Sequence, residues 1–259
     1  MSWIDKTHFE FTKQQVKRNM KTDRSDIYDT TSVFLTGSMT QNYGCVESSG
    51  VHDPLERLKD YLCAITLWLK QPVVEHLIFC DASGFLIPEG IFGDSRFQSM
   101  AIDLEELARN CGKGIAESRT IEYAMMNNRR LGRLFYKCTG RLFIANFSEI
   151  HDRVKLIHQG ICISLDLQAG EADTRFFRMD QESYDRCLLP HTGEIYDYGG
   201  PSIEQIYYHH CNEYHPLPKT VYVGRSGHSG RLYDEDYPQE IKDTAGRLMK
   251  KIDLSRFGS

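Results

Sequence analysis

Ser32-Val33-Phe34-Leu35-Thr36-Gly37-Ser38-Met39-Thr40 opens as a short buried strand, Ser32 to Leu35, and runs into a loop of small residues that continues to Gly50. Asp53-Pro54-Leu55-Glu56 then has the composition of a helix start. Asp53 can cap, Pro54 fits the first turn, and Glu56 completes a capping-box-like arrangement. Leu55, Leu58, Leu62, Ile65 and Leu69 fall on one helical face, and Pro72 ends the helix. His76-Leu77-Ile78-Phe79-Cys80-Asp81 reads as a second buried strand. Strand, helix, strand, with polar loops at the carboxyl ends of both strands, predicts an α/β fold. Its core is a mostly parallel open sheet flanked by helices, whose ligands bind outside the strand ends.

The rest of the chain extends that pattern. Met100 to about Arg130 predicts a helix broken at Gly112-Lys113-Gly114. The run from Arg133 to Phe147 (RLFYKCTGRLFIANF) is apolar, β-branched and aromatic, and predicts a strand. Val154 to Gln168 predicts a further strand pair, or a strand flanking a turn. Gln239 to Ile252 predicts a helix in which Ile241, Ala245, Leu248 and Ile252 share a face. No repeat or low-complexity linker interrupts the chain. A single domain over 1–259 is therefore expected, with an N-terminal arm over 1–30 and a C-terminal helix within 239–259.

Composition narrows the function classes. A chain of 259 residues that is 41% hydrophobic and 26% charged can bury a sizeable core, which excludes disorder as its main state. The net charge of -5 provides no global basic field for nucleic acid. The first twenty residues hold no apolar run of a signal peptide, and no stretch is long enough to span a bilayer, so a cytoplasmic location is expected. The eight cysteines form no CxxC pair, which fits reduced, mostly buried thiols rather than a zinc site or disulfide scaffold.

Several polar groups stand where chemistry is expected. Thr36, Gly37 and Ser38 follow the first strand, and small residues there let backbone N–H groups approach a phosphate or nucleotide. Taken alone, these residues are read first as an ordinary strand-to-helix turn. Asp81 ends the second strand and can accept from a base or ribose, or form a turn with Gly84. Lys113 and Glu117 flank a predicted helix N-terminus, a place suited to a diphosphate. Lys137, Thr139 and Arg141 alternate in an apolar segment, which places them on one face if it is extended. Two cations there need an anion; a phosphorylated ligand or a structural carboxylate would each serve, and Gly140, which permits close backbone approach, favours the ligand. Asp173 and Glu204 are candidate catalytic carboxylates, with His209 and His210 close to Glu204 in sequence.

These segments, in the order TGS, CDASG, GKGIAESRTIEYAM, FYKCTGRLFIANF, DTRFF and PSIEQ, resemble small bacterial glycosyltransferases of capsule and lipopolysaccharide assembly, over roughly residues 31 to 230. The resemblance implies a GT-A-like nucleotide-sugar-binding fold. It also implies transfer of a sugar from a nucleotide-sugar donor to a saccharide or lipid-linked saccharide acceptor, at the inner face of the membrane. On that reading Thr36, Gly37, Ser38 and Asp81 hold the nucleoside, and Lys113, Glu117, Lys137 and Arg141 serve the phosphates. Asp173 or Glu204 takes the acceptor proton.

The chain departs from the pattern at the metal site. A metal-dependent GT-A enzyme carries an Asp-x-Asp holding manganese or magnesium. Here Lys137-Cys138-Thr139-Gly140-Arg141 follows the KGxxE helix, and the Asp-x-Asp is Asp234-Glu235-Asp236, in a polar segment. Lys137 and Arg141 could neutralise the leaving phosphate instead. The cationic C-terminal helix, with Lys242, Arg247, Lys250 and Lys251, could touch an anionic membrane, or be solvated. A nucleotide-dependent hydrolase or phosphotransferase and a non-catalytic binding module are the rival readings.

Overall fold

The structure, a computed structural model, describes residues 30–40, 53–211, 213–225 and 231–255. The predicted arm up to residue 29, the end of the small-residue loop and the glycine-serine residues 226–230 lie outside them.

Four strands form the parallel half of the main sheet: β1 (Ser32–Gly37), β2 (His76–Asp81), β3 (Phe97–Ala101) and β4 (Leu134–Thr139). Helix α1 (Pro54–Leu69) connects β1 to β2, while α2 (Glu105–Cys111) and α3 (Lys113–Asn127) lie between β3 and β4. After β4 come β5 (Leu142–Ile144), α4 (Phe147–Val154), β6 (Ile161–Ile163), β7 (Leu165–Asp166), β8 (Glu171–Ala172) and β9 (Phe176–Asp180). Helical turns over 181–194 lead to α5 (Ile203–His210), β10 (Tyr214–Pro216), β11 (Tyr222–Gly224) and α6 (Gln239–Met249).

The seven-stranded sheet runs β10-β6-β9-β4-β1-β2-β3, and only β9 is antiparallel to its neighbours. The expected α/β class with a mostly parallel sheet is what the chain adopts. Its strands read as continuous apolar runs because helices cover both faces. On one face Val33, Leu35, Phe79 and Tyr136 meet α1, α4 and α6. On the other Phe34, Ile78, Phe135 and Phe177 meet α3 and α5.

Two sequence expectations change. The strand predicted over 133–147 is two strands and a helix start. It breaks at Gly140, whose N–H donates to Thr36 O at 2.8 Å, and a side chain at Gly140 would press on that same carbonyl. β5 then leaves the main sheet to pair antiparallel with β11. The buried stripe of α1 is also rotated and widened to Leu58, Tyr61, Leu62, Ile65 and Trp68, with Arg57 and Asp60 buried beside it. α6 packs against α1 and covers a second side of that helix, with Ile241, Ala245 and Leu248 buried. No helix of the described residues is long and apolar enough to cross a membrane.

Candidate functional site

Chain order reverses at β1, which has β2 on one side and β4 on the other. In open α/β sheets such a switch point, outside the carboxyl ends of the strands, is where ligands bind. Thr36 to Ser38, Thr139 to Arg141 and the amino end of antiparallel β9 converge on this edge. Thr139 N–H donates to Arg175 O at 2.8 Å.

The loop after β1 is closed by the protein itself. Ser38 N–H donates to the Tyr61 hydroxyl at 2.9 Å, and Tyr61 donates back to Ser38 O at 3.0 Å. Arg57 Nε also donates to Ser38 O, at 2.7 Å, and Arg57 Nη2 to Tyr61 at 3.0 Å. Ala82 N–H donates to Gly37 O at 2.7 Å. Gly37 is required for packing, since a Cβ there would lie 2.6 Å from the Phe79 ring. The expected backbone cradle is thus a braced turn.

Asp81 is likewise internal. Its Oδ1 accepts from Ser83 N at 2.8 Å, Ser83 Oγ at 2.6 Å and Phe85 N at 3.2 Å, while Oδ2 accepts from Met39 N at 2.9 Å. Burial raises its pKa against the pull of these donors. The carboxylate ties the β1 and β2 loops together and faces no open space, being fully buried.

The helix N-terminus proposed for a diphosphate is also filled. Gly114 N–H donates to Asp197 Oδ2 at 2.9 Å, and Asp197 N–H donates to Cys111 O at 3.0 Å. A protein carboxylate therefore sits where the helix dipole favours an anion. Lys113 is exposed.

Lys137 and Arg141 do not share a face, because the turn at Gly140 ends the alternation. Lys137, fully buried, forms an ion pair with Glu117 of α3, donates to Thr174 O at 2.6 Å and lies 5.6 Å from the Phe177 ring centre. Its counter-charge is a structural carboxylate. Thr174 Oγ1 donates to Glu204 Oε1 at 3.1 Å, so Glu117, Lys137, Thr174 and Glu204 form one polar row on the α3–α5 side.

Arg141 lies on the α1 side, near Arg57, Asp60, Tyr61 and Tyr237. It is 5% exposed, and among the described residues its Nε and Nη1 have no hydrogen-bond partner. Burial lowers its pKa from the ordinary guanidinium value, and the neighbouring Arg57 adds to this. Asp60 Oδ2 is unpartnered among the described residues as well, with its pKa raised by burial against the opposing charges of Arg225 and Arg141. A buried guanidinium with idle donors is costly unless an anion meets it.

The two candidate carboxylates differ. Asp173 is clamped: Arg175 Nε donates to Oδ1 and Nη2 to Oδ2, both at 2.7 Å, and Tyr222 donates to Oδ2 at 2.7 Å. Arg175 in turn lies over the Tyr222 and Tyr233 rings, at 4.5 and 5.0 Å. Glu204, half-buried in the first turn of α5, accepts from the Thr174 hydroxyl. His210 is six residues along the same helix, about 9 Å in rise, and stacks on His191 instead.

The Asp-x-Asp does not fit a divalent cation. Asp234 accepts from Tyr222 N at 2.8 Å, and Asp236 pairs with Lys242 and accepts from Tyr237 N at 2.8 Å. Both carboxylates brace the β11 region.

Sequence reasoning missed Arg57, Asp60, Tyr61 and Asp197. Arg57 and Asp60 had left little signal, since Glu56 and Lys59 are charged in the same turns and only the tertiary packing buries the first pair. Asp197 had left none. A cavity of about 220 Å³ opens at another part of the sheet, beside Thr31, Leu134 and Arg178, and touches none of the predicted residues.

No family model and no curated protein matches the sequence. Among solved structures the chain is similar to 4-diphosphocytidyl-2C-methyl-D-erythritol synthase from Anaerococcus prevotii. The two are 8% identical with a TM-score of 0.42, over 88% of this chain and 100% of that one.

Proposed function

We propose that the chain is a nucleotide-sugar-dependent glycosyltransferase acting on a saccharide acceptor, in the assembly of a bacterial surface polysaccharide. The observation that supports this reading is the buried Arg141 guanidinium, two of whose donor nitrogens have no hydrogen-bond partner among the described residues, just beyond β4 beside the switch point of the sheet. A planar fork of donors suits a phosphate oxygen, and in a dry site it is worth more than in water. Arg141 then stabilises the departing nucleoside phosphate.

Glu204 takes the proton from the acceptor hydroxyl, since the hydrogen bond it accepts comes from a hydroxyl that an incoming group can replace. Lys137, itself paired with Glu117, donates to the Thr174 carbonyl and thereby aims the Thr174 side chain at Glu204. Asp173 keeps its place in this scheme as a brace for Arg175. No step is drawn through a metal, because the Asp-x-Asp is bound up in the protein.

Arg141→Met is the decisive variant. The variant's melting temperature is measured first, because Asp60 loses an opposing charge; in a folded variant, removing the phosphate contact abolishes nucleotide binding. UDP, CMP, GDP and ADP are titrated calorimetrically against wild type and variant, with and without manganese. Binding of one nucleotide by wild type and its loss in a folded variant supports the reading. Binding that survives Arg141→Met overturns the phosphate assignment. Turnover of a nucleotide sugar to free sugar at the full rate without acceptor favours the hydrolase instead.

A further inference from the structure

The far end of α5 carries a second cluster, distinct from the polar groups at the carboxyl edge of the sheet. The 3₁₀ segment Leu189–Glu194 brings His191 against His210, the last residue of α5. The two imidazoles stack with centroids 3.4 Å apart and planes 12° from parallel. His191 Nδ1 lies 2.8 Å from Glu194 Oε1. One donor atom from each of the three residues lies within 4.8 Å of the other two.

Rigid elements hold these groups. Thr192 Oγ1 donates to Leu189 O at 3.0 Å, and the neighbouring Ile195 is buried in the core. The capping box of Ser202 and Gln205 starts α5, and Ile203, Ile206 and Tyr207 bury its inner face.

Two imidazoles and one carboxylate form a donor set suited to zinc and related borderline dications, which prefer nitrogen and oxygen ligands in a four-coordinate shell. Donor atoms around a tetrahedral zinc sit about 3.3 Å apart. The lone pairs of stacked, near-parallel rings do not converge on one ion, so binding requires one imidazole to turn out of the stack about its side-chain torsions, which aims both nitrogens at a common point. Magnesium and calcium, which favour all-oxygen shells, do not match the set.

We propose that His191, Glu194 and His210 form a zinc-class dication site that fastens the 189–194 turn to α5, with the fourth position left to water. The proposal is independent of the transferase reading. It concerns the opposite end of the helix from Glu204 and requires no nucleotide.

The test uses the full chain without a histidine tag. Zinc chloride is titrated calorimetrically and by thermal shift against wild type, His191→Ala, His210→Ala and Glu194→Gln, with magnesium as control. The expected result is one zinc per chain and a raised melting temperature. Each histidine variant should bind at least about tenfold more weakly, while keeping its metal-free melting temperature. Magnesium should leave wild type unmoved. Cobalt substitution then reports the ligands, since nitrogen and oxygen donors give d–d bands without the charge-transfer band of a thiolate. No zinc binding by wild type, unchanged binding by the histidine variants, or a thiolate band from the chain's cysteines would each overturn the assignment.

Discussion

The carboxylate of Asp197 accepts the Gly114 N–H at 2.9 Å, so the first turn of α3 is capped from a residue 83 positions further along the chain. The helix N-terminus that resembled a diphosphate site in sequence is a joint between α3 and the segment before α5. Gly112 makes the joint possible. Its φ of 104° lies in the left-handed region, and a Cβ there would collide with the Asp197 side chain.

Asp197→Ala should lower stability by about 1 kcal/mol, the usual cost of a lost cap. Gly112→Ala should cost more, about 1–3 kcal/mol, because backbone strain adds to the collision. Urea unfolding of the two variants checks the order, and a Gly112→Ala protein as stable as wild type would refute it.

Glu117→Ala strands the fully buried Lys137 ammonium and should cost about 3–5 kcal/mol. Adding Lys137→Met should recover most of that loss, because the pair is replaced by an apolar side chain against Phe177. The readout is the urea midpoint of the single and double variants. A double variant weaker than Glu117→Ala alone would show that the ammonium is not the source of the cost.

Asp173 and Glu204 should separate stability from turnover. Asp173→Asn weakens the two-pronged pairing with Arg175 and should lower the melting temperature. Glu204→Gln should leave the melting temperature in place and reduce kcat by about 10²–10⁴-fold, the range of a lost general base. The reverse pattern would exchange their roles.

Acidification should destabilise the fold through His151. Burial, the largest cause, lowers its pKa from the ordinary value of 6.5. The folded state therefore binds fewer protons than the unfolded chain in the window below that value, and stability falls as pH falls through it. His76, also lowered by burial, acts in the same sense. Melting temperatures between about pH 7.5 and 5.5, which bracket the ordinary imidazole value, should decline in wild type and decline less in His151→Gln. Parallel profiles would remove His151 as a contributor.

How much of the site was legible follows from where each partner lies. Lys137 was recognisable as a buried cation needing an anion, because its neighbours in sequence are apolar. That the anion is Glu117 was not, because α3 and β4 meet only when the sheet forms. The alternation expected to unite Lys137 with Arg141 failed at Gly140, where a carbonyl of β1 approaches too closely for the strand to continue. Thr36, Gly37, Ser38 and Asp81 were correctly placed at strand ends. The loop groups and the Asp81 carboxylate nonetheless turn inward, toward Tyr61, Arg57, Ser83 and Met39.

The sequence by itself determined the elements: apolar runs became β1, β2 and β4, and the Asp53-Pro54 start and the 3.6-residue spacing became α1 and α6. These depend on burial and hydrogen bonding within a few residues, which a linear pattern records. Only the tertiary structure decided which polar groups meet across the strand order. It set Arg141 beside Arg57, Asp197 on α3, and Thr174 against Glu204. Those pairings follow from sheet register and helix packing over tens of residues, where sequence spacing carries no distance information.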